Sequence, residues 1–248
     1  MLRTFWVALV AVVATIPLAG LTMLIAMLRS TSPWIERVIR LWARIMVRAA
    51  GIDLRTENME AIRSDERYVL VANHYSYFDI PCIFAAVPQP IRFMAKASLF
   101  KIPIFGWAIG RAGFIPIDRK NRRTAVKSFD LAAERIRKGN TIVIFPEEGR
   151  SRERTMRPFQ RGAFLLALKS EKTIVPMAID GTYDVFPATR WHVTPGPVTI
   201  RTGTPIETAG LTLRDKDRLL EESRAQIQEM LFGGEKPETR NQKPEETA

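Results

Sequence analysis

Tyr68-Val69-Leu70-Val71-Ala72-Asn73-His74-Tyr75-Ser76-Tyr77-Phe78-Asp79-Ile80 is the stretch from which the rest of the chain is read. An apolar run of strand type, Tyr68 to Ala72, empties into Asn73 and His74, and Asp79 follows five positions after the histidine. In one regular helix that spacing separates side chains by about 140°, so the pair would not meet. They meet if His74 lies in the turn at the strand's end and Asp79 in the first helical turn beyond it. Ser76, with Asp79 three residues later, matches a capping box and sets the helix start at Ser76. The bland alternative is a capping Asp79 beside a satisfied loop imidazole, because the pattern alone has low specificity. In the chemical alternative Asp79 accepts from one ring nitrogen and fixes the tautomer, while the other nitrogen takes a proton from a substrate hydroxyl. That hydroxyl is then the nucleophile, and no serine or cysteine is required.

Composition narrows the function classes. A chain of 248 residues, 46% hydrophobic, suits one domain of ordinary size with appendages. Its 37 basic and 26 acidic residues give a net charge of +11, which implies anionic partners: nucleic acid, an anionic bilayer or small phosphorylated substrates. Nucleic acid is disfavoured, since the arginines concentrate beside an apolar segment and no reading module is recognisable. The single cysteine, Cys82, lies in an apolar run and reads as a small buried hydrophobe. His192, the second of two histidines, follows Trp191 in a loop rich in Pro and Thr and reads as non-catalytic.

Phe5 to Leu28 is an uncharged run of 24 residues. As a helix it would be about 36 Å long, enough to cross a bilayer core. Pro17 and Gly20 also permit a kink or a pair of short helices that dip into one leaflet and return. From Trp34 to Ala50, apolar residues recur at helical spacing opposite Arg37, Arg40, Arg44 and Arg48, the pattern of a basic amphipathic helix lying in a membrane interface. Its alternative is a helix packed on the soluble core with a solvated arginine face. Only Arg3 precedes the apolar run, whereas Arg29 and the helix arginines follow it; if the run spans, the positive-inside bias places the main domain on the cytoplasmic face of the inner membrane.

From Gly51 onward, short β-type runs alternate with helical stretches. The strands expected are Tyr68 to Ala72, Ile91 to Ala95, Phe114 to Ile117, Thr141 to Phe145, Ile174 to Ala178 and Val198 to Arg201, with helices such as Thr124 to Lys138 and Gly162 to Ser170 between them. This alternation predicts an α/β fold, a layered and mostly parallel sheet flanked by helices, with its site beyond the carboxyl ends of the strands. Lys96, Asp118-Arg119 and Glu147-Glu148-Gly149-Arg150 all follow strands, which with His74 brings a base, carboxylates and cations to one sheet edge. No nucleotide-binding glycine loop and no Cys/His metal cluster is present in the sequence.

Asn73-His74 with Asp79, Gly113-Phe114-Ile115-Pro116-Ile117-Asp118-Arg119, Phe145-Pro146-Glu147-Glu148-Gly149-Arg150-Ser151 and Ile174-Val175-Pro176-Met177-Ala178-Ile179 resemble the four ordered motif blocks of the glycerolipid acyltransferases. The resemblance is strongest to the bacterial 1-acyl-sn-glycerol-3-phosphate acyltransferases and covers most of the chain. It implies an acyl-CoA or acyl-carrier-protein donor, a lysophosphatidic acid acceptor, phosphatidic acid as product, membrane lipids as surroundings, and no metal or cofactor. By position, His74 becomes the base and Asp79 its orienting partner. Lys96 and Arg150 become phosphate contacts, Arg119 a cation near the acceptor and Glu147 a carboxylate that helps place the glycerol backbone. Asn73 and Gly149 complete the substrate-binding blocks. Where the family usually reads Phe-Pro-Glu-Gly-Thr-Arg, this chain has Glu148 and Gly149 at the Gly and Thr positions, which leaves two glutamates competing for one role. The alternatives are an acyltransferase for another lysolipid and, from another class, a non-catalytic membrane-tethered protein that binds anionic lipid. The domain plan is an anchor with an interfacial helix over 1–50, an acyltransferase domain over 51–232, whose closing helix runs from Asp217 to Phe232, and a disordered tail over 233–248.

Overall fold

The computed structural model describes residues 1–30, 32–118 and 122–233. Arg119 and all of the expected disordered tail except Gly233 lie outside the described residues. Among the described residues, helices α1 (Leu2–Leu28) and α2 (Pro33–Ala50) precede β1 (Ile52–Glu57), β2 (Val69–Ala72), α3 (Asp79–Ala86), β3 (Ile91–Lys96), α4 (Phe105–Arg111) and β4 (Ile115–Ile117). There follow α5 (Arg122–Arg137), β5 (Thr141–Ile144), α6 (Gly162–Ser170), β6 (Ile174–Asp180), α7 (Thr182–Val185), β7 (Gly196–Thr202) and α8 (Lys216–Phe232).

The strands form one sheet in the order β1-β7-β6-β2-β5-β3-β4. Every neighbouring pair is parallel except β6 with β7. The central strand β2 is buried along its whole length, as a strand covered on both faces must be, and its successive side chains go to opposite layers. Leu70 and Ala72 join a core with residues of α1, α2 and α3, while Val69 and Val71 join a core with residues of α5, α6 and α8. Because β2, β3, β4, β5 and β6 run the same way, their carboxyl ends share one edge, and the turns after β2, β5 and β6 meet there.

The N-terminal helices fall among the forms the sequence allows. α1 is one continuous helix through Pro17, about 40 Å long, and it pairs with α2 in a hairpin. It is tied to the domain along its length: Thr4 Oγ1 accepts from the Val193 amide, Thr15 Oγ1 accepts from Trp42 Nε1, and Ala26 packs with Ile35 and Ala112. Its outer face carries exposed Phe5, Trp6, Leu9, Val12, Val13 and Ile16. The apolar side of α2 is spent on the protein core, with Ile35, Val38, Ala43, Met46 and Val47 buried, and Arg37, Arg44 and Arg48 point outward. Arg40 turns inward instead and donates to the Gln89 carbonyl. Its neighbour Glu36 lies 2.8 Å from Arg92 of β3 and 3.5 Å from Arg40, which fixes α2 to the sheet.

Candidate active site

The turn after β2 and the first residue of α3 bring His74 and Asp79 together. His74 Nδ1 lies 2.7 Å from Asp79 Oδ2. That same oxygen accepts from the amides of Tyr75 and Ser76, at 2.8 and 2.9 Å. An oxygen already receiving two N–H donors acts as acceptor toward the imidazole too, so the proton belongs on Nδ1 and the lone pair on Nε2. Among the described residues Nε2 has no hydrogen-bond partner, and the ring keeps 15% exposure while Asp79 has none. On the ring's flat side Phe145 stacks at 4.0 Å between centroids and 12° between planes. The imidazole is thus held by one edge and one face.

The helix start differs from the capping-box reading. α3 begins at Asp79, not Ser76, because the Asp79 carboxylate is drawn into the His74 turn. Ser76 Oγ accepts from the Phe78 amide and donates to the Phe186 carbonyl, which ties this turn to the end of α7.

Two residues expected to touch substrate are engaged elsewhere. Asn73 is fully buried; its Nδ2 donates to the Ile179 carbonyl at 2.9 Å and its Oδ1 accepts from the Ile179 amide at 2.7 Å, joining the ends of β2 and β6. Glu147 is 2% exposed, and its two oxygens accept from the amides of His74 and Arg157, at 2.7 and 2.8 Å. Both side chains therefore hold the His74 turn. Burial pushes the Glu147 carboxyl up to about 7, the two amide donors pull the other way, and the nearby Asp79 charge adds to the rise. Of the competing glutamates, Glu147 lies inside and Glu148 is exposed. Glu148 has φ 57°, a left-handed backbone that suits the family's glycine better than this residue.

Arg150 is half-buried, with its guanidinium carbon 3.5 Å from the centre of the Tyr77 ring. Tyr77 sits inside the His74–Asp79 interval, so this stack holds a cation beside the dyad. Ser151, next in the chain, donates its amide to the His74 carbonyl at 2.8 Å. Gly149 leaves space that the Arg157 guanidinium occupies, since a Cβ there would come within 2.8 Å of it. The Gly149 and Arg150 amides have no partner among the described residues. Lys96 ends β3 on the same sheet edge and is exposed. His192 is exposed in the loop before β7. No group of three or more His, Cys, Asp and Glu side chains among the described residues is arranged to hold a metal ion.

Sequence reasoning alone does not reach Phe145, Tyr77 or Arg157. An aromatic residue at the strand end and another within the His–Asp interval are the available signals for the first two. Arg157 engages Glu147 through its backbone, for which the sequence has no signal.

A family model described as Acyltransferase matches residues 53–180. A chloroplastic 1-acyl-sn-glycerol-3-phosphate acyltransferase of Brassica napus is 33% identical over 152 residues, 60% of this chain and 43% of that protein. The corresponding protein of Saccharomyces cerevisiae is 31% identical over 180 residues, 71% of this chain and 59% of its own length. The chain spans less than half the length of the first curated relatives it matches. The crystal structure of the 1-acyl-sn-glycerophosphate acyltransferase of Thermotoga maritima superimposes with a TM-score of 0.79 at 25% identity, covering 92% of this chain and 93% of that one. On the family match across its central half, and with the dyad and the mostly parallel sheet in place, the chain belongs to the acyltransferase family.

Proposed function

We propose that the protein transfers a fatty acyl group from acyl-CoA or acyl-carrier protein to the sn-2 hydroxyl of 1-acyl-sn-glycerol 3-phosphate, giving phosphatidic acid. The observation that carries this reading is the dyad: a His74 tautomer fixed by Asp79, with Nε2 left as base. Nε2 takes the acceptor's hydroxyl proton as that oxygen attacks the thioester carbonyl. The resulting oxyanion collapses, the carbon–sulfur bond breaks, and the departing thiolate receives the proton back from the imidazolium. The amides of Gly149 and Arg150, left without partners among the described residues, are the donors suited to the oxyanion. Arg150, braced by Tyr77, serves the acceptor phosphate. Lys96 adds cationic charge at the same sheet edge, and by family resemblance Arg119 is a further cation for the acceptor.

The site works at a membrane surface in this reading, on the cytoplasmic face of the inner membrane. Support comes from the exposed apolar face of α1 and the outward arginines of α2. α1 is tied to the domain at several points along its length, so it holds the domain against the membrane surface.

The test is to incubate purified protein with acyl-CoA or acyl-carrier protein and a panel of lysolipids, resolving products by mass spectrometry. Phosphatidic acid formed from lysophosphatidic acid in preference to other acceptors is the expected result. Turnover confined to a lysolipid with a larger head group would reassign the acceptor, and no acyl transfer from either donor would sink the reading.

A further inference from the structure

Between Ile91 and Gly113 the chain carries Arg92, Lys96, Lys101 and Arg111 and no carboxylate. Within this stretch a 3-10 turn at Ala97–Lys101 leads into α4, and four large apolar side chains stand in solvent: Leu99, Ile102, Ile104 and Trp107, the last 58% exposed. The dyad makes no use of them. The backbone at their centre is strained. Ile104 has φ 63° and ψ −62°, and the Phe105 amide bonds back to the Pro103 carbonyl at 2.7 Å. That is a γ-turn with positive φ, a conformation that a β-branched residue rarely adopts. Gly106 makes the fold-back possible, having no room for a Cβ against the Phe100 carbonyl. A costly turn that presents apolar side chains to water calls for a partner that covers them.

We infer that Leu99–Trp107 is a second membrane-contact element, which inserts into the same anionic bilayer surface as the outer face of α1. The two apolar surfaces adjoin: Ala26 and Ile25 of α1 pack against Ala112, one residue beyond α4. Lys101 and Arg111 are exposed beside the apolar tip, at the level suited to anionic head groups. Trp107 is the side chain type that settles at a membrane–water boundary. Because the segment begins shortly after Lys96, it sets the cationic sheet edge against the bilayer. The inference rests on the membrane reading of α1.

The test uses the full chain in vesicles of phosphatidylglycerol and phosphatidylethanolamine, with an environment-sensitive fluorophore on one introduced thiol. Ile102→Cys reports on the segment, Leu9→Cys on α1, and Glu222→Cys on α8 at the opposite face of the sheet. Phospholipids brominated in their acyl chains should quench the first two several-fold more than the third. Quenching at Leu9 with none at Ile102 beyond the Glu222 level overturns this inference alone. Absence of quenching at both defeats the membrane reading of α1 as well. Rapid disulfide dimerisation of Ile102→Cys in detergent-free solution would assign the face to a second copy of the chain and overturn the inference too. In parallel, Ile102→Asp should lower vesicle partitioning of the full chain roughly tenfold, the equivalent of one withdrawn isoleucine. An unchanged partition coefficient counts against insertion.

Discussion

Phe145 lies flat against the imidazole of His74, 4.0 Å between ring centres and 12° from parallel, so the base is gripped by an aromatic face as well as by the Asp79 carboxylate. Ring pairs of this kind contribute about 1 kcal/mol beyond area burial. Phe145→Leu should therefore lower kcat severalfold with the fold retained, measured by initial rates on lysophosphatidic acid alongside thermal melts. A rate equal to wild type would mean that the carboxylate alone fixes the ring.

Replacing the base itself has a larger effect. His74→Ala should reduce turnover by about 10² to 10⁴-fold, the usual contribution of a positioned general base. Asp79→Asn should cost less. Its amide oxygen can receive the three donors that converge on Oδ2, and its amide nitrogen falls at the position of Oδ1, which is buried without a partner. Single-turnover kinetics on folded, membrane-bound variants should place both losses on the chemical step. Wild-type turnover by His74→Ala would exclude the mechanism.

Glu147 makes stability depend on pH. Its folded pKa, near 7, lies above the ordinary 4.5, so the folded protein binds more protons than the unfolded chain between those values. The stabilisation from this group is fully present below pH 4.5 and is lost as pH rises through 7. The loss amounts to about 3 kcal/mol if the whole shift is expressed. Urea midpoints across this range should fall as pH rises, and Glu147→Gln, although less stable at the outset, should flatten that slope. A slope unchanged in the variant would assign it to other groups.

Relief of strain gives a substitution expected to stabilise the fold. Glu148 holds a left-handed backbone at φ 57° with its side chain exposed. Glu148→Gly removes that cost but adds freedom to the unfolded chain, for a net gain of about 0.5–1 kcal/mol. Calorimetry should show a higher Tm. A lower one would mean that the Glu148 side chain makes an energetically significant contact.

Acceptor recognition is tested at Arg150 and its brace. Arg150→Lys keeps the charge and removes the guanidinium fork, and should weaken use of lysophosphatidic acid by roughly 1–3 kcal/mol in kcat/KM. An unphosphorylated lyso-acceptor should lose much less. Tyr77→Leu should shift the same preference by a smaller amount, since the cation stays while its stacking surface goes. Equal losses on both acceptors would assign Arg150 to the donor or to the fold.

Much of this architecture is legible because its signals are local. β2, β3 and β5 are short apolar runs buried on both faces, and each is observed within one residue of its expected ends. β1 is not among the expected strands, although Ile52, Leu54 and Thr56 alternate with charged residues. It is an edge strand whose outer residues meet solvent, so it lacks the continuous apolar run that marks the others. The antiparallel β6/β7 pair cannot be foreseen, since composition does not encode strand direction. Within the site, the His74–Asp79 contact spans five residues, so one turn between strand and helix suffices to make it. The partners of Asn73 and Glu147 lie 106 and 73 residues away in sequence, where no local pattern reaches.

The ion contacts of Glu36 with Arg92 and Arg40 leave no seam at residue 50 along which a soluble enzyme could be cut. Deleting residues 1–29 strips the apolar helix while leaving Glu36 in place. Extending the deletion through Ala50 takes the Glu36 carboxylate from the Arg92 guanidinium and uncovers the core that Ala43, Met46 and Val47 share with Cys82 and Phe84. Loss of a buried partner costs about 3–5 kcal/mol, comparable to the whole margin of a typical domain. A shortened chain meant to stay in solution without detergent should therefore begin between residues 30 and 33 and carry polar replacements at whatever surface of the sheet domain α1 had covered.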